Sequence, residues 1–367
     1  MSGSEFGKIL KLTAWGESHG PALGAVLDGF PAGMDLREED IQKYLDRRKP
    51  GWSMAAASRK EEDKVRILSG VFEGKTTGAP ISFLIENTDQ RPGDYKDLKD
   101  CFRPGHADYG YYAKYGIRDY RGGGRSSGRE TAARVCGGAA AAKLLSCMGI
   151  DIMAFTRSIG PVEIEEKNFD RSLILKTPTA MPDALADEKA REYIRRCMEK
   201  NDSSGGVIEV RITGLPAGIG EPVFDKLDAR LSQALMSIGA VKAVEIGAGV
   251  LAGRLRGSEN NDPFALSEDG TVIKKTNHAG GILGGISDGS QIILRAHVKP
   301  TPSILREQDT VDLDGKERKL TISGRHDPVI VPRAVVAAEC MCALTVLDLM
   351  LENMSARADR VIDFYRK

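Results

Sequence analysis

Two long segments of this sequence carry small or apolar side chains on every face of a helix. One spans residues 130–148 and the other residues 333–351, and Ala, Val, Leu, Met and Cys dominate both. A helix that is apolar all round has no face suited to water, so it is usually buried inside a large fold. We therefore expect both segments at the centre of the molecule, covered by other elements.

The rest of the chain has the patterns of strands and of amphipathic helices. Alternating apolar residues and flanking turn residues predict strands over 8–15, 22–28, 65–72, 80–86, 207–215, 241–246 and 291–298. Amphipathic helices are predicted over 187–200 and 224–236. Strand-rich stretches around buried helices favour an α+β fold in which sheets cover helices. Because no repeat or low-complexity linker interrupts the pattern, we interpret residues 1–367 as a single domain.

The charges limit the kinds of partner. Lysine plus arginine and aspartate plus glutamate both number 52, so the formal net charge is zero. A neutral chain is not built to coat nucleic acid or an anionic membrane, so any basic site must be a local cluster. The six cysteines are scattered without a C-x-x-C pair, which predicts free thiols in a reducing cytosol and no metal site. No secretory signal and no apolar run of ~18 residues is expected, so we predict a cytoplasmic protein.

Long loops rich in glycine and arginine are the first candidates for chemistry. Residues 90–129 have little periodicity but many aromatic side chains, which argues against disorder and favours a functional loop. The motif Arg103-Pro-Gly-His-Ala-Asp108 is followed, over residues 118–131, by R-D-Y-R-G-G-G-R-S-S-G-R-E-T, directly before a buried helix. Backbone N–H groups at a helix start, hydroxyls and arginines suit a phosphorylated anion. A solvated basic loop is the alternative.

Two further clusters contain groups that can move protons. His19 lies in Gly16-Glu-Ser-His-Gly20, after a predicted strand, and imidazole suits proton transfer near neutral pH. An incidental histidine in a turn is the alternative, and adjacent Ser18 and His19 are not expected to face each other. Asp327, in Gly324-Arg-His-Asp-Pro328, could accept a proton or form a structural salt bridge.

Taken together, these segments resemble chorismate synthases. The resemblance rests on Gly16–Gly20, Arg103–Thr131, Gly284-Gly-Ile-Ser-Asp-Gly289 and Gly324–Pro328 in the family's order, and it extends over essentially the whole chain. It implies a 1,4-anti elimination of phosphate from 5-enolpyruvylshikimate 3-phosphate, which gives chorismate for the synthesis of aromatic amino acids. It also implies a β-α-β sandwich, with buried central helices covered by antiparallel sheets, assembled as a homotetramer.

The resemblance implies a cofactor and a role for each matching residue. Family members need reduced FMN, which some reduce with NADPH and others obtain from a separate flavin reductase. His19 would act as acid toward the departing phosphate, His106 would protonate or stabilise the reduced flavin, and Asp327 would accept a proton from flavin N5. The implied substrate-binding residues are Arg48, Ser127, Arg129, Arg134 and Arg325. The implied flavin-lining residues are Arg125, Ser126, Ser127, Gly239, Ala240, Gly284, Lys299, Pro300, Thr301, Pro302, Ser303 and Arg325.

Three places depart from the family pattern. The family usually has another arginine shortly after Arg48-Lys-Pro-Gly51, whereas this chain has Trp52–Ala57, which puts one substrate or NADPH contact in question. Position 128 is Gly where Ala is common. Position 239 is Gly where Asn is more usual, which puts a side-chain contact to the flavin in question.

Two other functions remain compatible with the same loops. The first is a phosphate-handling lyase or transferase that uses the Gly-Arg loop without flavin. The second is a binding module in which the Gly-Arg-Tyr loop contacts RNA. Zero net charge and the lack of an RNP-type strand motif argue against the second function.

Overall fold

A computed structural model describes residues 3–48, 63–87, 98–322 and 327–366. The strands in this part of the chain are β1 Glu5–Phe6, β2 Lys11–Gly16, β3 Ala22–Asp28, β4 Val65–Ser69, β5 Val71–Phe72, β6 Lys75–Thr76, β7 Ile81–Glu86, β8 Asp151–Ile159, β9 Val162–Glu163, β10 Gly206–Thr213, β11 Val241–Ile246, β12 Phe264–Leu266, β13 Val272–Lys274, β14 Ile282–Leu283, β15 Ile286–Ser287, β16 Ile292–Val298, β17 Gln308–Val311 and β18 Glu317–Leu320. The helices are α1 Glu38–Asp46, α2 Asp108–Tyr115, α3 Thr131–Cys147, α4 Ala184–Glu199, α5 Leu227–Met236, α6 Gly257–Asn260, α7 Val331–Asn353 and α8 Ala358–Tyr365.

Two five-stranded sheets enclose a layer of helices. The first sheet has the strand order β1-β2-β3-β7-β4 and the second has the order β11-β16-β10-β8-β9. All neighbouring strands in both sheets are antiparallel. Between the sheets, α3 packs on the first sheet and on α7, while α7 packs on β8 and β10. The α+β class and the β-α-β sandwich are therefore confirmed.

The two central helices bury the residues that the sequence predicted to be buried. In both α3 and α7 the buried positions lie on all sides, and most carry alanine, valine, leucine or cysteine. The axes approach closely at Gly138, where an added Cβ would lie only 2.3 Å from the Cβ of Cys340. A side chain there would force the helices apart, so this contact requires glycine.

One expectation about α7 needs correction. The helix Val331–Asn353 is long and apolar enough to cross a bilayer by length and composition, although no such run was expected. In the structure, 83% of its most apolar window is buried inside the protein. Its Asp348 accepts hydrogen bonds from the backbone N–H groups of residues 8–10 and from Arg230. The apolar character of α7 therefore belongs to a core helix.

Several elements lie where none was predicted, and β8 and α2 are two of them. β8 occupies an inner position of the second sheet and pairs with β10 over the whole length of that strand. α2 forms inside the 90–129 loop, and Gly116 closes it with a left-handed backbone (φ 71°). Neither segment has regularly spaced apolar residues. Contacts with neighbouring elements therefore determine their conformation more than the local sequence pattern does.

A small lobe beside the sandwich carries the segment that contains His106. The hairpin of β17 and β18 docks on residues 98–103, where the Phe102 N–H donates to the Val311 carbonyl (3.3 Å). Its separate apolar cluster consists of Leu98, Cys101, Leu320 and Ile322. The lobe thus holds residues 103–108 next to the end of β16.

Candidate active site

His19 lies in a turn that the ends of two strands hold in place. β2 ends at Gly16, which has a positive φ of 90°, and the turn that follows buries His19 to 7% exposure. Asn87, just after β7, donates hydrogen bonds to the carbonyls of Glu17 (3.0 Å) and Gly20 (2.7 Å). The side-chain amide of Asn87 therefore fixes the turn at the edge of the first sheet.

The imidazole of His19 has two close neighbours at its Nδ1 edge. Ser18 Oγ lies 3.0 Å from His19 Nδ1, so the expectation that these adjacent side chains do not face each other is wrong. They face each other because residues 17–20 form a turn and not an extended strand, in which neighbours alternate sides. At the same edge of the ring, a Cβ added to Gly122 would lie 2.3 Å from Nδ1 and 3.1 Å from Ser18 Oγ. The Gly-rich loop thus brings its backbone against the ring.

Arg125 fastens the Gly-rich loop to the first sheet. Its guanidinium donates to the carbonyls of Ala14 (3.1 Å) and Gly16 (3.1 Å) on β2. Ser126 Oγ donates to the Gly123 carbonyl (2.6 Å), and Ser127 Oγ accepts from the Arg129 N–H (3.3 Å). All three side chains are therefore engaged within the protein, and they shape the loop that leads into α3.

A buried carboxylate joins two of the predicted substrate-binding arginines. Arg48 Nη1 lies 2.7 Å from Asp63 Oδ2, and Arg129 pairs with the other oxygen of Asp63. Arg129 Nε also donates to Asn87 Oδ1 (2.9 Å), which connects the arginines to the His19 turn. Burial lowers the pKa of Arg48 to about 10, so Arg48 stays charged at neutral pH. Asp63 was not predicted, because it lies in a charged run without a recognisable motif.

Asp327 joins the same network through α7. Arg333 pairs with Asp327 Oδ2 and donates from Nε to the Arg48 carbonyl (3.1 Å). Asp327 Oδ1 is buried and has no hydrogen-bond partner among the described residues. The carboxylate therefore has one oxygen held by a cation and the other available as a proton acceptor. Two predicted features, Arg325 and the stretch Trp52–Ala57, lie outside the described residues.

Arg134 points toward α5. Its Nε donates to Glu130 Oε2 (2.8 Å), and its Nη1 donates to Ser237 Oγ (2.5 Å). The Ser237 carbonyl accepts a further bond from Nη2 (3.1 Å). In this structure Arg134 ties α3 to the end of α5, just before Gly239 and Ala240.

His106 is held in one orientation and in one tautomer. Its Nδ1 lies 3.0 Å from the Pro104 carbonyl, and its Nε2 lies 3.0 Å from Ser303 Oγ. Because a carbonyl can only accept, Nδ1 carries the hydrogen and Nε2 accepts from the Ser303 hydroxyl. Burial, followed by the charge of Arg103, lowers the pKa of His106 to about 4. His106 is therefore neutral at pH 7.

Two of the predicted flavin-lining segments, 239–240 and 299–303, meet beside the turn that contains His106. The Lys299 N–H donates to the Ala240 carbonyl (2.9 Å), and Lys299 Nζ donates to the Gly105 carbonyl (2.6 Å). Pro302 packs so closely on Gly105 that an added Cβ there would lie 2.7 Å from its Cβ. Gly284 lies elsewhere, in the β14–β15 turn at the start of α5. The ten residues of α5, about 15 Å of helix, separate Gly284 from Gly239.

Two glycines near this segment have open space beside the backbone. An added Cβ at Gly239 would meet only the Ser126 carbonyl, at 3.9 Å, and one at Gly124 would meet nothing within 4 Å. Both positions are therefore open to a ligand. Burial and the nearby charge of Lys242 lower the pKa of Lys299, so an anion would relieve repulsion between these cations.

The pKa of His106 leads to a prediction about acid stability. An unfolded histidine has a pKa of about 6.5, so between that value and about 4 the unfolded state binds more protons. The free energy of unfolding should therefore fall as the pH drops through this window, by about 2 kcal/mol from pH 7 to pH 5. Urea denaturation of wild type and His106→Asn at both pH values tests this. Between pH 7 and pH 5 the free energy of unfolding should fall less in His106→Asn than in wild type. An equal fall in the two proteins would contradict the prediction.

Comparison with known proteins places the chain beside one set of enzymes. The family model described as chorismate synthase matches residues 10–351. A chorismate synthase of Lachnoclostridium phytofermentans is 57% identical over 367 residues, the full length of both chains. One from Methanocella arvoryzae is 54% identical over 356 residues, 96% of this chain and 95% of the relative. A crystal structure of a chorismate synthase superposes with a TM-score of 0.75 at 33% identity, covering 98% of this chain and 97% of the other.

Proposed function

This chain belongs to the chorismate synthase family, and on that basis we propose that it converts 5-enolpyruvylshikimate 3-phosphate to chorismate by 1,4-anti elimination of phosphate, with reduced FMN as cofactor. One observation carries the proposal. A continuous series of contacts runs from the His19 turn through Asn87, Arg129, Asp63, Arg48 and Arg333 to Asp327. It joins a proposed acid, buried cations and a proposed proton acceptor.

The cations of this network suit the charge of the substrate. The substrate carries a phosphate and two carboxylates, and arginine binds both kinds of group through paired N–H donors. Arg48 and Arg129 sit on opposite oxygens of Asp63, which fixes the distance between them before any ligand arrives. Fixed charges are effective where negative charge develops on a leaving group. Removing one of them is expected to cost about 3 kcal/mol, or roughly a hundredfold in rate.

His19 is placed to donate a proton to the departing phosphate. Ser18 and the Gly122 backbone both lie against the Nδ1 edge of the ring, so it need not be ordered during the reaction. Its position against the Gly-rich loop puts it beside the backbone groups that lead into α3. Proton transfer by a positioned side chain contributes typically 10²–10⁴-fold to the rate.

The flavin would be held where the 126–127, 239–240 and 299–303 segments approach one another. Bound in its reduced form, FMN supplies the electron density that assists loss of phosphate. His106, neutral and with Nε2 facing Ser303, offers a proton-accepting nitrogen and a hydroxyl at this wall. Asp327, whose Oδ1 has no hydrogen-bond partner among the described residues, accepts the proton that the reaction releases. The residues proposed to bind the carboxylates and the phosphate of the substrate are Arg48, Ser127, Arg129, Arg134 and Arg325.

Cofactor binding and dependence test this function. Titration of the purified protein with FMN, in the presence of substrate, should give saturable binding, and turnover should require the reduced form. A protein that turns over without FMN would instead fit the flavin-free lyase or transferase. We further propose a cytoplasmic homotetramer. Aerobic turnover with FMN and NADPH alone would indicate that the enzyme reduces its own flavin, and turnover only after chemical reduction would indicate a separate reductase.

A further inference from the structure

The motif that contains His106 also forms a buried ion cluster. Arg103 and Asp108 are only 7% and 4% exposed. Arg103 donates from Nε and Nη2 to the two oxygens of Asp108, at 2.8 and 2.7 Å, and its backbone N–H donates at 3.0 Å. Arg118 Nη1 adds a second cation at 2.6 Å from Asp108. The buried carboxylate of Asp108 thus forms ion pairs with two guanidinium groups.

This cluster closes the turn that presents His106. The His106 N–H donates to the Arg103 carbonyl (3.2 Å), and the ring donates to the carbonyl of Pro104. Asp108 accepts from Arg103 across the five-residue span, so the two ends of the turn are fixed to each other. The direction of the imidazole toward Ser303 is set by this closed turn.

The same guanidinium also contacts the loop that touches His19. Arg103 Nη2 lies 3.4 Å from the Gly122 carbonyl, at the long end of the hydrogen-bond range. Gly122 is the residue whose backbone lies against the His19 ring. One side chain therefore bridges the segments that carry the two histidines.

We propose that Arg103, held by Asp108, is a positioning residue. It fixes the orientation of His106 through the turn that it closes and the position of the His19 ring through Gly122. The proposal rests on the functions proposed above for the two histidines. Arg103 itself points its donors at Asp108 and Gly122, so it acts through its neighbours.

Fold stability alone gives a poor account of this cluster. Buried ion pairs are costly to desolvate, and apolar replacements often stabilise as well or better. Here two cations share one carboxylate, and one of them, Arg103, also lies near His106. The charged groups that act on His106 are Arg103 and Asp108 from its own segment and Lys299 from the segment after β16. Burial and Arg103 are the two largest causes that lower its pKa, whereas Asp108 raises it.

Titration of His106 in flavin-free protein tests the proposal. Two-dimensional NMR of the imidazole nitrogens, assigned with His106→Asn, should show wild-type His106 neutral down to pH 5. In Arg103→Gln the midpoint should rise by about one pH unit, because a cation near the ring is lost. Asp108 keeps Arg118 as a partner in this variant, which favours folding. Arg103→Lys, which retains the charge, should shift the midpoint by less.

Controls separate positioning from general loss of stability. Asp187→Asn removes the charge of another buried carboxylate. Asp187 lies on α4, where it pairs with Arg191, and it accepts a hydrogen bond from Thr179, so its loss should leave the titration midpoint of His106 unchanged. A wild-type midpoint in Arg103→Gln would overturn the proposal. If Arg103→Gln does not fold, the test moves to Arg103→Lys, whose kcat should fall at least tenfold with little change in KM. Unchanged kcat there would overturn it.

The two proposals fail in different ways. The NMR titration needs no substrate or flavin, so it remains valid if the chain does not make chorismate. Conversely, flavin-dependent turnover by wild type, together with an unshifted His106 in Arg103→Gln, would reject only the positioning role of Arg103.

Discussion

His106→Ala is expected to lower turnover with reduced FMN by at least about a hundredfold while the fold stays intact. The ring is held by the Pro104 carbonyl and Ser303, next to the segments proposed to bind flavin, so alanine removes its proton-accepting nitrogen without touching the core. Rates should be measured at saturating substrate with chemically reduced FMN. Circular dichroism and the urea midpoint at pH 7 should match wild type.

A second histidine provides the control for this variant. His297 lies on β16 of the second sheet, 3.5 Å from Glu245, and has no part in the proposed chemistry. His297→Ala should keep turnover within about twofold, since surface substitutions away from a site have small effects. Wild-type rates in His106→Ala would remove His106 from the mechanism.

Asp348→Ala is expected to lower the free energy of unfolding by about 3–5 kcal/mol. Asp348 is completely buried in α7 and accepts the backbone N–H groups of Lys8, Ile9 and Leu10, at 2.8–2.9 Å. It also pairs with Arg230 at 2.5 Å. Alanine would leave three backbone donors, of which that of Leu10 is buried, without their acceptor and a buried cation without its nearest partner. Urea denaturation at pH 7 measures the loss.

An exposed aspartate provides the control for this variant, because its replacement also removes one negative charge. Asp359 pairs with Arg357 at the surface, beside the start of α8. Asp359→Ala should leave the free energy of unfolding close to that of wild type, because exposed ion pairs contribute little. A loss below about 1 kcal/mol in Asp348→Ala would contradict the view that this carboxylate fastens the N-terminal turn to α7.

Elements with a regular pattern were predicted well from sequence. β3 and β11 have the predicted bounds, and α3 and α7 differ from their predicted bounds by one or two residues. In each case one local property, either alternation or an all-round apolar surface, is enough to define the element. β8 was missed because a strand inside a sheet depends on its neighbours, and here β10 supplies them from 47 to 62 positions further along the chain, as the pairs Ile159–Gly206 and Asp151–Thr213 show.

The candidate site shows the same division between local and distant information. Histidines and arginines next to glycine-rich turns could be selected because composition and order along the chain are local signals. Their partners could not be selected. Ser303 meets His106 from 197 positions away, and Arg333 meets the Arg48 carbonyl from 285 positions away. The β17–β18 hairpin holds the His106 segment next to the end of β16, and the packing of α7 between the sheets brings Arg333 to Arg48.

Anaerobic turnover with reduced FMN tests the central claim most directly. Purified protein would be mixed with 5-enolpyruvylshikimate 3-phosphate and dithionite-reduced FMN, and chorismate and phosphate would be measured together. We expect equal amounts of both products, no product with oxidised FMN, and a loss of at least about a hundredfold in His106→Ala. Folded protein that binds reduced FMN and substrate but releases neither product would contradict it.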